Sequence, residues 1–242
     1  MNSLMLCEGK TDAILLSYYM KNVFGWEPLR KAPNFLNIQV ERNRNQNVAW
    51  YKHGEDLLLI AAVGGNSNFG HFFEQRIKAP LIDAGAFQKI AIVTDRDKRK
   101  IQEIEKTFIE DFGGFFTTLK NQVWLQQDFQ NGFKQDEAVD VLLLVIPEAH
   151  QGALETLLLD SISEDPYDAA IVDAAKKFVH NTRCIAKRYI SSDRLELKSQ
   201  LSTTWAIQSP EKVFDFINEQ IDSVEWDKSQ TLRECFKELA KL

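Results

Sequence analysis

The stretch KIAIVTDRDK, residues 89–98, decides the fold. Ile90, Ala91, Ile92 and Val93 form an unbroken apolar run, too short for a helix, which is the pattern of a strand buried on both faces of a sheet. The run stops at Asp95, and a charged helix is expected from about Arg99 to Asp111. The same device recurs along the chain. Ser3 to Cys7 is nearly all apolar, ends at Glu8-Gly9, and gives way to helical spacing from Thr11 to about Val23. Asp56 to Val63 is a continuous aliphatic run closed by Gly64-Gly65, followed by helix character from Phe69 to Ala84. Asp140 to Ile146 reads as a strand ended by Pro147, with a helix from Ala153 to Ile162. Such alternation predicts an α/β fold, with a mainly parallel sheet, right-handed crossovers and helices on both faces.

The segments between these units are less regular. Phe35 to Val40 alternates as a strand, Asn43 to Asn47 reads as a turn, and Val48 to Tyr51 as a returning hairpin arm. Phe115 to Phe133 is aromatic and Gln-rich, an irregular insertion or extra strands. Beyond Asp165-Pro166 the pattern is helical only: Asp168 to about Val179, Arg194 to Thr203, Pro210 to Ile221 and Ser229 to Leu242. The expected division is therefore an α/β domain over residues 1–163 and a helical C-terminal region over 164–242, packed on it or beside it.

Composition narrows the function classes. A chain of 242 residues with 44% hydrophobic and 26% charged residues is ordinary for a folded globular protein. The first residues lack the basic start and apolar length of a signal peptide, and the longest aliphatic stretch falls far short of the roughly 20 residues a membrane span needs. A cytoplasmic protein is expected. Cys7, Cys184 and Cys235 are an odd, widely spaced set and read as reduced thiols. A formal charge of −6 argues against coating of nucleic acid by bulk attraction, so any phosphate contact must be local. The cation-rich stretch from Lys176 to Lys198 holds Lys176, Lys177, Arg183, Lys187, Arg188, Arg194 and Lys198 against Asp193 and Glu196. It reads either as a solvated helical face or as the side of a substrate channel.

In a parallel sheet the strands end at one edge, where such folds place ligands. Glu8 follows the first strand and Asp95 the third aliphatic run, so neighbouring strands would put both carboxylates on one rim. Asp97, two residues on, turns to the same side. Three carboxylates converging there repel unless protonated or shared by a cation, and hard oxygen ligands suit Mg²⁺ or Mn²⁺. The structural alternative is that acids end strands and cap helices. Asp12 by itself fits a first-turn helix acid. Gly64 to Asn68 lacks the Lys-Ser/Thr ending of a P-loop and reads as a tight turn. The four histidines show no ligand spacing, although His150 falls near the rim.

These residues carry a family resemblance. LMLCEGKTDAILL, residues 4–16, resembles the first TOPRIM motif, an apolar strand ending in Glu-Gly with an Asp four residues after the Glu. KIAIVTDRDK resembles the second, an apolar strand ending in Asp-x-Asp, and AAVGGNSN, residues 61–68, ends a strand between them. The order is similar to that of topoisomerases, bacterial primases, small ribosomal-RNA maturases and the overcoming-lysogenisation-defect family of nucleases. The resemblance covers roughly residues 1–160 and implies a TOPRIM/Rossmann-like sheet. It also implies Glu8 as general base or acid and Asp95 and Asp97 as metal ligands. Lys98, Arg99 and Lys100 stand where primases and topoisomerases have a Gly, which is similar to the nuclease branch, and no partner domain for the other activities is expected.

VIPEAHQGALETLLLDSI, residues 145–162, resembles the strand-then-Gly-x-x-Glu segment of small standalone TOPRIM-like proteins related to those nucleases. That implies Glu155 as a further acid near the metal, beside its plain reading as an N-terminal helix acid. LKSQLSTTWAI, residues 197–207, fits a recurring Lys before an apolar-Trp segment and implies Lys198 as a stabiliser of phosphate charge. The resemblance thus implies a Mg²⁺- or Mn²⁺-dependent endonuclease, with Glu8 and Lys198 catalytic and Glu8, Asp12, Asp95, Asp97 and Glu155 around the metal. DNA or RNA would be the substrate. The alternative is a non-catalytic metal- or nucleotide-binding module acting as a regulatory or defence-system partner, as a homo-oligomer or with another protein.

Overall fold

The computed structural model describes residues 1–33, 36, 38, 40–41, 45–212 and 226–242. It divides into two compact units, one of Met1–Ile146 with Phe236–Leu242, the other of Pro147–Cys235. The division thus falls at residue 146, ahead of the expected 163, because α5 (Leu154–Ile162) packs with α6 (Pro166–Arg183) and α7 (Asp193–Gln208). The last seven residues return to the first unit.

The first unit is a seven-stranded sheet. Its strands are β1 (Asn2–Cys7), β2 (Glu27–Pro28), β3 (Asn47–His53), β4 (Asp56–Ala62), β5 (Lys89–Asp95), β6 (Trp124–Gln130) and β7 (Asp136–Ile146), in the order β2-β3-β4-β1-β5-β7-β6. The four central strands, β4-β1-β5-β7, are mutually parallel, as the four aliphatic runs predict. The margins are antiparallel. Within Phe115–Phe133 the extra strand is β6, and β7 begins four residues before the expected Asp140. Its exposed start, Asp136 to Ala138, pairs with the edge strand β6, where burial on both faces is not required. The arm β3 pairs with β4 through the turn at Gly54, whose φ of 58° favours glycine. Of the expected strand Phe35–Val40, residues Phe35, Asn37 and Gln39 lie outside the described residues, and Leu36, Ile38 and Val40 belong to no regular element.

Alternate residues of the central strands fill one core. Leu4, Leu6, Leu59, Ala61, Ile90, Ile92, Val141 and Leu143 lie in one buried cluster with the rings of Phe69, Phe72, Phe73, Phe108, Phe112 and Phe116. Those rings come from the helical stretch after β4, from α4 (Ile101–Asp111), and from the turn after it. The stretch runs as α2 (Phe69–Phe72), a π-helical turn (Phe73–Ile77) and α3 (Lys78–Ala84). Ring pairs Phe69–Phe108, Phe73–Phe112 and Phe112–Phe116 all meet at centroid distances of 5.0 Å in T-shaped geometry, each worth about 1 kcal/mol beyond its buried area. The intervening strand residues, such as Met5, Leu58, Ile60, Ala91 and Leu144, are buried too and belong to the opposite face. There α1 (Lys10–Phe24) packs on β4, and Tyr19 meets Phe236 at a centroid distance of 4.7 Å.

The second unit is helical, as expected after Pro166, with wider elements. Asp165 caps α6 by accepting from the backbone N of Tyr167 and Asp168, and Pro166 fits the first turn, where its missing N–H costs nothing. Of Pro210–Ile221, only the 3-10 turn Pro210–Lys212 is described; the rest lies outside the described residues. The last expected helix is α8 (Gln230–Phe236), followed by a 3-10 turn. No helix among the described residues is long and apolar enough to cross a membrane.

Glu164 caps α8, accepting from Ser229 Oγ at 2.9 Å, Gln230 N at 2.9 Å and Thr231 N at 2.7 Å. Burial acts to raise its carboxyl, but the hydrogen bonds from Thr231, Gln230 and Ser229 outweigh burial and hold it below its ordinary value. A depressed carboxylate contributes stability that is full above the ordinary Glu range and lost as pH falls through the lowered value. Acid is therefore expected to loosen the start of α8. Glu164→Gln should blunt that acid-dependent loss of far-UV circular dichroism, and identical acid profiles for the two proteins would contradict it.

Candidate carboxylate rim

β1 and β5 are hydrogen-bonded parallel neighbours, with Cys7 level with Val93. Glu8 therefore follows β1 at the edge where Thr94 and Asp95 finish β5. Glu8 Oε1 accepts from Thr94 Oγ1 at 2.9 Å and from the backbone N of Asp95 at 3.0 Å. Both acids are buried. The Glu8 carbonyl is fixed in turn, accepting from Gly64 N at 2.9 Å and Gly65 N at 2.8 Å. Gly64 and Gly65 have φ of 89° and 127°, which favours glycine, and their N–H groups are spent inside the fold. The tight-turn reading of this segment describes it.

Asp12 reaches back one turn and accepts from Gly9 N at 2.7 Å, the task of a first-turn helix acid. The Asp95 carbonyl accepts from Arg99 Nη2 at 3.3 Å, and Arg96 N donates to the Ile146 carbonyl at 2.7 Å, which ties the segment after β5 to the end of β7. Asp97 is exposed, with φ of 51°. Among non-glycine residues Asp and Asn tolerate this left-handed setting best. The charge around the end of β1 registers on Cys7. Its thiol is pushed well above its usual value, first by burial and then by Asp12, Glu8 and Asp95.

Glu155 and Lys198 belong to the second unit. Glu155 lies in the first turn of α5 and is buried; its Oε1 is 3.7 Å from Lys198 Nζ, and its Oε2 has no hydrogen-bond partner among the described residues. His150 Nε2 is 2.9 Å from Asp160 Oδ2, a surface pairing rather than a ligand position.

The buried carboxylates of Glu8, Asp12 and Asp95 supply the hard oxygens that Mg²⁺ and Mn²⁺ take. Among the described residues no three His, Cys, Asp or Glu side chains gather into a ready-made cage. The contribution of Thr94 escaped the sequence reading. A Thr before a strand-end Asp is a weak signal, and only the register of β1 against β5 gives it meaning.

Burial separates the thiols. Cys184 is exposed, whereas Cys7 and Cys235 are buried, and Cys235 is pushed up to about 12 by burial first and then by Glu148. Iodoacetamide is expected to modify Cys184 alone in the native protein and all three cysteines after unfolding, counted by intact mass. Rapid native modification of Cys7 would contradict the packing.

A family described as "Protein of unknown function (DUF3226)" matches residues 2–241. No curated protein matches the chain. Among solved structures, a hypothetical protein of Pyrococcus horikoshii OT3 is similar over 98% of this chain and 99% of its own, at 14% identity and a TM-score of 0.48. A lactoylglutathione lyase of Agrobacterium tumefaciens is similar over 58% of this chain and 92% of its own, at 15% identity and a TM-score of 0.19. Neither likeness bears on what the chain does.

Proposed function

We propose that this chain, which belongs to the DUF3226 family, is a metal-dependent phosphodiesterase acting on nucleic acid, of the TOPRIM endonuclease type. The observation that carries the reading is the bond of Glu8 Oε1 to Asp95 N at 3.0 Å, between two buried acids at the same edge of adjoining parallel strands. Glu8, Asp95 and Asp97 would hold Mg²⁺ or Mn²⁺, with Asp12 as a further acid of the same unit. Bound there, the ion supplies Lewis-acid stabilisation of the phosphoryl oxygens. Glu8 moves the proton of the attacking or leaving oxygen, and Thr94 and the Asp95 amide hold its carboxylate in place.

Single-stranded, duplex and supercoiled DNA and RNA, incubated with the protein with and without Mn²⁺, test the reading. Mn²⁺-dependent cleavage that disappears in Glu8→Gln and Asp97→Asn supports it; no cleavage, or cleavage that survives both changes, sinks it. A second reading is a non-catalytic module partnered with another protein or with itself. It draws on the fact that Glu8 Oε1 already accepts two hydrogen bonds, a structural use of that carboxylate. Mn²⁺ binding by calorimetry without cleavage would favour it.

A further inference from the structure

The helix α6 turns Val172, Ala175 and Val179 inward, where they are buried. Its outward side and the turns that follow show the reverse. Phe178 is 61% exposed and Tyr189 72%, although rings of this size are ordinarily withdrawn from water. Four cations lie close to them in sequence: Lys177, Lys187 and Arg188 are exposed and Lys176 half-buried. Asp193 and Glu196 are already committed, since Arg183 pairs with both and His180 with Glu196, whereas Asp173 is exposed one turn before Lys176 and Lys177 and offsets part of their charge. Lys176, Lys177, Lys187 and Arg188 have no carboxylate partner among the described residues. A chain of net charge −6 thus carries a locally positive surface set with exposed rings. The guanidinium of Arg188 lies 5.7 Å from the centre of the Tyr189 ring, which puts a phosphate-binding group beside a flat stacking face.

We infer that this surface binds single-stranded nucleic acid, with the four cations taking phosphates and Phe178 and Tyr189 stacking on unpaired bases. Charge complementarity selects a polyanion, and the two rings select one whose bases have free faces, which a duplex does not offer. An anionic lipid surface would satisfy the charges but needs a continuous apolar helix face, and the apolar face of α6 is turned inward. The inference rests on the nucleic-acid reading above for its role, yet it requires neither metal nor cleavage.

The test is fluorescence anisotropy of the full chain with a labelled oligodeoxythymidine of about 15 nucleotides, in EDTA. Binding is expected, with log K falling against log salt at a slope of about −3 if all four cations engage. A duplex of equal length should bind at least about 10-fold more weakly. Phe178→Ala with Tyr189→Ala should weaken the oligomer by about 100-fold, roughly 10-fold per ring. Lys187→Glu with Arg188→Glu should reduce binding further and flatten the salt slope. Both pairs are exposed, so thermal melts should stay unchanged. Equal affinity for duplex and single strand, indifference to both pairs of changes, or binding to phosphatidylserine vesicles without binding to the oligomer would overturn the inference. Oligomer binding without Mn²⁺-dependent cleavage would leave it standing and count against the enzymatic reading alone.

Discussion

Glu8→Gln is expected to keep the melting temperature within about 2 °C of the parent while cutting Mn²⁺-dependent cleavage by at least about 100-fold. The amide oxygen of Gln can accept the same bonds from Thr94 Oγ1 and Asp95 N that the carboxylate accepts. What the substitution removes is the negative charge and the ability to exchange a proton. Glu8→Ala makes the opposite test. It leaves the buried Asp95 amide without this acceptor, a loss of about 1–3 kcal/mol, or a fall of roughly 3–10 °C in melting temperature for a chain of this size. Asp97→Asn should behave like Glu8→Gln, because Asp97 is exposed and Asn tolerates its positive φ equally well. Thermal melts and cleavage rates on the three variants separate a fold role from a chemical one. If Glu8→Gln melts as early as Glu8→Ala, the carboxylate serves the fold and the enzymatic reading loses its principal residue.

Gly70→Ala is expected to destabilise the protein by about 3 kcal/mol, against the usual sign for a helix. Gly70 lies in α2, where alanine is normally better by about 1 kcal/mol. A Cβ built on Gly70, however, would stand 2.0 Å from the carbonyl oxygen of Asp111 and 2.8 Å from its carbonyl carbon. Both are backbone atoms at the end of α4, so no side chain can swing aside. Relief requires α2 and α4 to separate, which pulls apart Phe69 and Phe108, and Phe73 and Phe112, now in contact at 5.0 Å. The steric cost outweighs the propensity gain. Differential scanning calorimetry should show a fall of roughly 6–12 °C; a rise would mean that helix propensity governs and that the two helices are not in tight backbone contact.

The four central strands were legible because burial on both faces demands continuous apolar runs, and such runs are visible without knowing what covers them. Strand order was not, since neighbourhood depends on crossovers that leave no local mark. The edge strand β6 was hidden because its sequence, WLQQDFQ, is only half buried and carries no aliphatic run. The unit boundary was misplaced because the helical spacing of Leu154–Ile162 resembles that of any helix following a parallel strand. Only its packing on α6 and α7 assigns it to the second unit. At the rim, the acids themselves stood out as strand-ending residues. Their order in space rests on the pairing of Cys7 with Val93, and the clasp from Thr94 follows from that register alone.

The return of Phe236–Leu242 to the first unit has a consequence for how the chain comes into being. Ser3 Oγ donates to the Leu242 carbonyl at 3.2 Å across 239 positions of sequence, and Trp124 Nε1 donates to the Glu238 carbonyl at 2.9 Å. Phe236, wholly buried, meets Tyr19 of the first helix. As the polypeptide leaves the ribosome, the sheet can pair its strands once Ile146 has emerged. One of its faces then waits for some ninety further residues before the segment that seals it exists.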